Sequence, residues 1–286
     1  MGQTITPELR RWLQEQAAAG YARQAVLDAL LKAGWQPTLA ASAMETEWDA
    51  PQRLPASVAA DATPSAPSQR LPDLDLSLSP RQIDAGDRRV DVIATLANPR
   101  VVVLGQLLSG EECDALVAAA RPRMARSLTV QTQTGGEELN PDRTSEGMFF
   151  RRGETELIAR IEARIARLVN WPVDHGEGMQ VLHYGTGAQY KPHYDYFDPA
   201  QPGTASILRR GGQRVATLVM YLSEPARGGG TTFPDAGLEV APVRGNAVFF
   251  SYDRPHPATG TLHGGAPVVE GEKWVATKWL RERVFE

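Results

Sequence analysis

A histidine and an aspartate stand two residues apart in the segment Tyr190-Lys-Pro-His193-Tyr-Asp195. In an extended strand, residues i and i+2 point to the same face, so His193 and Asp195 can present an imidazole and a carboxylate to one point. Both groups are ligands that divalent metal ions accept. Because the same spacing also occurs by chance on solvated surfaces, a metal site needs a third ligand from elsewhere in the chain.

That third ligand must be another histidine, since the 286 residues include five histidines and a single cysteine, Cys113. One cysteine excludes an intramolecular disulfide framework and a cysteine-rich zinc site. Two histidines and one carboxylate on one face of an ion leave coordination positions open, as in non-haem Fe(II) oxygenases. The residue pattern alone leaves four candidates for the second histidine: His175, His183, His256 and His263.

Lys273 stands ten residues after His263 and begins a predicted strand over residues 273–279. An ammonium group that enters a β-rich core needs an anionic partner, because burial of an unpaired charge is costly. A dicarboxylate cosubstrate would supply that partner. A buried Lys273 therefore favours an organic-acid ligand in the same region as the candidate metal site.

The elements that must position these groups are short strands that follow a helical segment. One predicted helix opens with a capping box at Ser109 and Glu112, and another covers about residues 154–170. Runs of β-branched and aromatic residues then alternate with Gly, Pro and Asp turns. The predicted strands are 179–184, 215–222, 238–240, 247–252 and 274–280. This pattern favours a mainly β fold with supporting helices, a sandwich or a jelly roll.

Residues 1–48 are predicted to form a small module of three short helices, with corners at Gly20 and Gly34. The Gly-aromatic corners resemble those of a ubiquitin-associated-type bundle. The alternative is a helical protein-interaction or packing module of no named family. A protein partner is a candidate role for this module.

Residues 49–85 are predicted to be a linker, and residues 86–286 the catalytic domain. The linker is rich in Pro, Ala and Ser and has almost no large apolar residue between positions 49 and 69. Such a stretch buries too little apolar surface to offset its ordering entropy.

Charge and hydropathy narrow the classes of partner. The formal net charge is −4, from 30 Lys and Arg against 34 Asp and Glu, which gives no hint of a nucleic-acid partner. No run approaches the roughly 20 apolar residues of a membrane helix, and the first residues lack the pattern of a secretory signal. We therefore expect a cytoplasmic protein without a nucleic-acid or membrane partner.

Together, these motifs resemble those of the 2-oxoglutarate and Fe(II)-dependent oxygenases, and among them the prolyl 4-hydroxylase family. The resemblance covers roughly residues 98–286 and extends beyond the His-x-Asp, His and Lys order. The further motifs are Tyr184-Gly-x-Gly-x-Gln189-Tyr190-x-Pro192, Arg214-Val-Ala-Thr217-Leu-Val-Met-Tyr221-Leu, Gly229-Gly-Thr-Thr-Phe-Pro234 and Lys273-Trp-Val-x-x-Lys278-Trp279-Leu. The resemblance implies that the catalytic domain is a double-stranded β-helix, a form of jelly roll.

The resemblance also implies the ligand sets of the site. The implied Fe(II) ligands are His193, Asp195 and His263. The implied 2-oxoglutarate-binding residues are Lys273, which pairs with the distal carboxylate, together with Tyr184 and Thr217. Tyr221 is assigned to the core, because a tyrosine in an apolar strand is more often packed than functional. The reaction consumes O2 and converts 2-oxoglutarate to succinate and CO2 while the substrate is hydroxylated, and ascorbate is the implied reductant.

The implied substrate is a prolyl residue of a peptide or an intracellular protein, hydroxylated at the 4-position as by procollagen-proline 4-dioxygenases. Positions that resemble the peptide contacts of the family are Arg143, Ser145, Glu177, Tyr190 and Trp279. Proline has no N–H group, so its recognition depends on ring packing against aromatic residues and on polar contacts to carbonyls.

One departure from the family is Arg281, which stands two residues after Trp279 where plant and animal relatives commonly carry His. This departure leaves the peptide preference open. Arg209 and Arg210 are either peptide contacts or solvated side chains. Two alternatives to a prolyl hydroxylase also remain: a hydroxylase of another residue or of a free amino acid, and a binding module that senses oxygen or 2-oxoglutarate.

Overall fold

The computed structural model describes residues 5, 9–10, 12–13, 23–32, 34–47, 70–126, 128–130, 137–139 and 144–286. The chain divides into two compact units, Met1–Ser68 and Gln69–Glu286. Within the described residues, every helix is too short or too polar to span a bilayer.

The smaller unit has an apolar core of its own. Its described helices are α1 (Arg23–Lys32) and α2 (Pro37–Glu47), and the described part of the first predicted helix is helical at residues 9–10 and 12–13. Gly34 ends α1 with a φ of 84°, a left-handed conformation that glycine adopts at little cost. The buried residues of this core are Leu9, Leu13, Val26, Leu30, Ala40, Ala43 and Met44. The ubiquitin-associated resemblance stays a prediction.

The larger unit is built mainly from short strands. In chain order these are β1 (Gln82–Asp84), β2 (Arg89–Leu96), β3 (Arg100–Gly105), β4 (Ala125–Arg126), β5 (Leu128–Val130), β6 (Glu137–Leu139), β7 (Glu146–Phe150), β8 (Met179–Tyr184), β9 (Tyr190–His193), β10 (Arg214–Tyr221), β11 (Arg227–Gly228), β12 (Thr231–Phe233), β13 (Leu238–Val240), β14 (Ala247–Ser251), β15 (His263–Gly265), β16 (Val268–Glu270) and β17 (Lys273–Arg281). Its described α-helices are α3 (Gly110–Ala120), α4 (Glu156–Leu168) and α5 (Thr204–Leu208).

Two antiparallel sheets face each other in this unit. The larger sheet has nine strands in the order β1-β2-β3-β14-β10-β17-β8-β7-β4, and the smaller has four in the order β13-β12-β15-β9. An apolar cluster that includes Tyr221, Phe233 and Phe250 fills the space between them. This arrangement is a jelly roll of the double-stranded β-helix kind, so the predicted fold class is confirmed.

Helices α3 and α4 cover the other face of the larger sheet. The capping box predicted at the start of α3 is present, since Ser109 Oγ accepts a hydrogen bond from Glu112 N at 3.1 Å and Ser109 N donates to Glu112 Oε2 at 3.0 Å. The apolar stripe of α4 packs on the sheet through Ile158, Ile161, Ile165 and Leu168.

Strand β17 shows how this layering places the site. Its side chains alternate, as those of a strand must. Trp274, Ala276 and Leu280 join the cluster under the helices, whereas Lys273, Val275, Thr277 and Trp279 line the cleft between the sheets. All nine residues of β17 are buried.

The predicted linker of residues 49–85 is too long at its C-terminal end. Leu74 is buried in the cluster beneath the helices, and Arg100 forms an ion pair with Asp73 at 2.7 Å. Strand β1 then pairs with β2. These residues belong to the larger unit because Leu74 and Ala85 are buried in its core and Leu71, Leu76 and Ile83 pack against it.

Candidate active site

Strand pairing brings together the three residues predicted to hold the metal. In the smaller sheet β9 pairs with β15, and His193 lies directly opposite His263. Asp195 follows two residues after His193, and its carboxylate oxygens lie 3.5 Å from His193 Nε2 and 3.4 Å from His263 Nε2. The three ligand atoms all lie within 4.8 Å of one another, and no other group of this kind occurs among the described residues. Of the four candidate histidines, His263 is therefore the one that strand pairing places beside His193 and Asp195.

The remaining ring nitrogens fix the orientation of both imidazoles. His193 Nδ1 lies 2.9 Å from the carbonyl oxygen of Lys191, and His263 Nδ1 lies 3.0 Å from that of Thr261. A carbonyl can only accept, so both Nδ1 atoms carry the proton. Both Nε2 atoms then face the Asp195 carboxylate, which brings the three ligand atoms close enough to share one metal ion.

The carboxylate of Asp195 is held by the hydroxyl group of Thr217, which is in turn held by the hydroxyl group of Tyr252. Thr217 Oγ1 donates to Asp195 Oδ2 at 2.7 Å, and Tyr252 Oη lies 3.1 Å from Thr217 Oγ1. Because the single hydroxyl proton of Thr217 goes to Asp195, Tyr252 is the donor in the second bond. This short chain of hydrogen bonds restricts Asp195 without using the oxygen that faces His193.

Burial and mutual charge give these groups the protonation states of metal ligands. Burial lowers the pKa of His263 to about 4, so its imidazole is neutral at pH 7. Burial alone would raise the pKa of Asp195, but the adjacent His263 and His193 outweigh it and hold that pKa well below its ordinary value. The set thus offers a neutral His263 imidazole and an ionised Asp195 carboxylate.

Close approach of β15 to β9 depends on Gly264. A Cβ atom at this position would lie 2.9 Å from the carbonyl oxygen of Tyr190 and 3.1 Å from Pro192 N. Contacts this short would push the strands apart, and with them His263 from His193.

Lys273 extends into the same cleft from the larger sheet. Only 4% of its surface is exposed, and burial lowers its pKa to about 8. Its Nζ lies 5.4 Å from the ring centre of Tyr184 and 5.8 Å from that of Tyr221. In the described part of the chain, no carboxylate lies within ion-pair distance of this ammonium. An anionic ligand would compensate the buried charge.

The cleft also contains the other two residues predicted to bind 2-oxoglutarate. Tyr184 is paired with Lys273 across β8 and β17, and Thr217 lies on β10 beside them. The hydroxyl of Thr217 is already engaged with Asp195, so the contact that the structure gives it is to a candidate metal ligand. A direct contact of either residue with the cosubstrate stays a prediction.

Two of the predicted peptide-binding residues line this cleft. Tyr190 stacks on His193 with ring centres 3.7 Å apart, and Trp279 lies where β17 leaves the cleft. The indole Nε1 of Trp279 is buried without a hydrogen-bond partner in the described structure. Both residues present ring faces or edges at the mouth of the site.

The other predicted peptide contacts lie elsewhere. Ser145 is buried just before β7, and the preceding Thr144 N donates to the carbonyl oxygen of Gln189, next to Tyr190. Glu177 lies outside the active-site cleft and is bound by two arginines. Arg143 lies outside the described residues.

Sequence reasoning missed three residues that support the site: Arg214, Tyr221 and Tyr252. Tyr221 is fully buried, as predicted, but its hydroxyl donates to Thr231 Oγ1 at 2.7 Å and its ring faces the Lys273 ammonium. Alternation along β10 could have identified it, since residues 217, 219 and 221 share one face. Tyr252 acts through a contact that is distant in sequence, and no local pattern marks it. Arg214 begins one of the motifs quoted above, but its contacts with Glu177 and Asp195 are likewise distant in sequence.

Comparison with known proteins agrees with this geometry. A family model of the 2OG-Fe(II) oxygenase superfamily matches residues 179–281, which include all three candidate metal ligands and Lys273. Prolyl 4-hydroxylase 5 of Arabidopsis thaliana is 41% identical over 223 residues, covering 70% of this chain and 74% of that protein. Probable prolyl 4-hydroxylase 3 of the same plant is 42% identical over 216 residues, covering 68% and 73%. A viral collagen prolyl hydroxylase of Paramecium Bursaria Chlorella virus-1, solved as a 2OG complex, is 31% identical, with a TM-score of 0.48 over 63% of this chain and 95% of that chain.

The protein is therefore a 2-oxoglutarate- and Fe(II)-dependent oxygenase by fold and site. Within that superfamily the chain belongs to the prolyl 4-hydroxylase family. This family membership and the His-Asp-His site support Fe(II) as the metal cofactor, with 2-oxoglutarate and O2 as cosubstrates. The residues fit the metal because two histidines and one carboxylate are the donors of a facial triad. They fit 2-oxoglutarate because the buried ammonium of Lys273 needs an anionic partner.

Proposed function

We propose that this protein hydroxylates prolyl residues, at the 4-position, in a peptide or protein substrate. The overall reaction converts 2-oxoglutarate, O2 and a C–H bond into succinate, CO2 and a C–OH group. The observation that carries the proposal is the juxtaposition, in one cleft, of the His193, Asp195 and His263 set with the buried Lys273 and the aromatic residue Trp279. The relatives named prolyl 4-hydroxylases support the choice of proline as the target.

Metal binding and 2-oxoglutarate binding are assigned to different residues of the site. His193, Asp195 and His263 would hold Fe(II), which supplies the activation of oxygen when bound. Lys273 would pair with the distal carboxylate of 2-oxoglutarate in a cleft where desolvation strengthens the ion pair. The neutral state of His263 and the ionised state of Asp195 require no proton release at pH 7 before the metal binds.

Tyr190 and Trp279 are proposed to hold the target proline over the metal site. Proline offers no N–H group, so packing of its ring on aromatic surfaces replaces main-chain hydrogen bonding. The protein contributes to catalysis by holding one C–H bond of the substrate near the metal and by excluding water.

The direct test is incubation of the protein with Fe(II), 2-oxoglutarate, ascorbate and a proline-rich peptide, followed by mass spectrometry. We expect a gain of one oxygen on proline, accompanied by stoichiometric succinate. His263→Ala should lose metal binding and turnover, whereas His256→Ala, which removes an exposed histidine that does not line the cleft, should retain both. Oxygen found on another residue or on a free amino acid would instead support the other hydroxylase class.

Turnover of 2-oxoglutarate without a hydroxylated product would favour the sensing alternative. Ascorbate as reductant, a cytoplasmic location and a protein partner for the N-terminal helices are parts of the proposal that rest on the sequence alone. Omission of ascorbate from the assay should lower the number of turnovers before inactivation, and equal yields with and without it would contradict that part.

A further inference from the structure

A second cleft, of about 680 Å³, has Arg214 in its lining. The guanidinium of Arg214 lies over the indole ring of Trp279 at 4.0 Å and lines the second cleft. Arg214 Nη1 also donates to the carbonyl oxygen of Asp195 at 3.4 Å. Arg214 therefore lies against Trp279, which lines the active-site cleft, and also lines the second cleft, so we expect a residue near the target proline to reach the second cleft.

The second cleft is strongly basic, in contrast to the chain as a whole. Its arginines are Arg151, Arg152, Arg210, Arg214 and Arg281, and the glutamates that line it are Glu177 and Glu286. The net charge of the whole chain is −4, so this excess of positive charge is local. We call it the arginine cleft. Concave surfaces lined by one sign of charge focus the electrostatic field and attract oppositely charged groups.

Both carboxylate oxygens of the glutamate at the floor of the arginine cleft accept hydrogen bonds from two of these arginines. Glu177 Oε1 accepts from Arg214 Nε at 2.6 Å and from Arg281 Nη1 at 2.9 Å, and Glu177 Oε2 accepts from Arg214 Nη2 at 2.9 Å. Two guanidinium groups share the Glu177 carboxylate, and Arg214 is also attracted by the buried carboxylate of Asp195. Arg281 is 2% exposed and its Nε has no hydrogen-bond partner in the described structure. The acidic groups at the floor are therefore already paired with Arg214 and Arg281, and the accessible positive charge of the cleft lies on its rim.

The rim adds accessible cations and apolar surface. Arg210 and Arg151 are exposed. Arg210 lies over the ring of Phe285 at 4.8 Å and donates through Nε to the carbonyl oxygen of Glu286, but its terminal nitrogens make no hydrogen bond to a described residue. Phe149, which is 48% exposed, and Phe197 form apolar walls. An acidic side chain has methylene groups that can pack on the apolar walls and a carboxylate that can pair with the arginines. The cleft therefore matches an aspartate or a glutamate.

We propose that the arginine cleft binds an aspartate or glutamate side chain of the peptide substrate, at a position that flanks the target proline. The inference rests on the proposed prolyl hydroxylase function and adds a substrate class to it: proline-containing peptides with a flanking acidic residue. Arg210, at the rim, is the specificity-determining residue that a variant can test without disturbing the buried ion cluster.

The test measures peptide binding separately from catalysis. A fluorescein-labelled decapeptide of alternating Ala and Pro carries one Glu, moved through every Ala position, and a matched set carries Gln. Binding to the full chain with Fe(II) and 2-oxoglutarate under nitrogen is followed by fluorescence anisotropy. At one position, we expect Glu to bind about fivefold more tightly than Gln at low salt, with the difference reduced in 0.5 M NaCl. Arg210→Glu should reverse the preference.

Arg209→Glu is the matched control, because it makes the same charge change at an exposed neighbour that does not line the cleft. Equal binding of the Glu and Gln peptides at every position, or an Arg210→Glu effect no larger than that of Arg209→Glu, would overturn the assignment. Glu-dependent binding without oxygen transfer to proline would instead refute the prolyl hydroxylase function and leave the cleft assignment standing.

Discussion

Replacement of Lys273 by methionine should stabilise the protein and abolish its use of 2-oxoglutarate. Lys273 is 4% exposed and has no ion-pair partner in the described structure. Burial lowers its pKa from 10.5 to about 8, so the folded state disfavours the charged form. At 1.36 kcal/mol per pKa unit, this corresponds to about 3 kcal/mol of destabilisation at pH 7, below both pKa values. Methionine is of similar length and has no charge to desolvate.

The assay is urea denaturation of the metal-free protein at pH 7 without 2-oxoglutarate. We expect the free energy of unfolding of Lys273→Met to rise by up to about 3 kcal/mol. Lys191→Met, at an exposed lysine of the same unit, should change it by less than about 0.5 kcal/mol. In parallel, kcat/KM for 2-oxoglutarate should fall by about 100-fold or more in Lys273→Met, as expected when one partner of a desolvated charge pair is lost.

Two results would refute this reasoning. A destabilised Lys273→Met protein would mean that the ammonium is satisfied in the folded state. An unchanged KM for 2-oxoglutarate would mean that the cosubstrate carboxylate binds elsewhere.

Three further predictions concern the same cleft and its support. The KM for 2-oxoglutarate should rise about tenfold from pH 7 to pH 9 as Lys273 loses its proton near pH 8, and Lys273→Arg should remove this rise in steady-state assays. Thr217→Val should weaken Fe(II) binding about tenfold, measured by metal titration, because Asp195 loses its hydroxyl donor, whereas Thr217→Ser should retain affinity. Lys278 Nζ and Glu162 Oε1 form a buried ion pair at 2.5 Å. Lys278→Met should cost about 3 to 5 kcal/mol in urea denaturation because the buried Glu162 carboxylate loses its cation, and the addition of Glu162→Leu should recover most of the loss. Equal stability of the single and double variants would contradict the last prediction.

Local patterns predicted the parts of the site that depend on local geometry. The two-residue spacing of His193 and Asp195 follows from the alternation of an extended chain, and the capping box at Ser109 follows from hydrogen bonds within one helical turn. Alternation along β17 likewise places Lys273 and Trp279 on one face.

The remaining features of the site and fold depend on contacts between residues that are distant in sequence. From residue patterns alone, His263 was one of four candidates, because only the register of β9 against β15 sets it opposite His193. Glu177 matched a peptide-contact position, yet Arg214 and Arg281, from other parts of the sequence, occupy its carboxylate. The end of the linker was placed too late because Leu74 and Asp73 gain their partners only in the folded unit.

Strand β17 lies between β10 and β8 near the middle of the nine-stranded sheet, although it is the last strand of the chain. During vectorial synthesis, both neighbouring strands expose unpaired hydrogen-bonding edges until residues 273–281 have left the ribosome. Such edges are templates for aggregation, so a nascent chain stalled before Lys273 should depend on chaperones. The same strand carries the cosubstrate lysine, so a chain that cannot complete its sheet also lacks the residue that would bind 2-oxoglutarate.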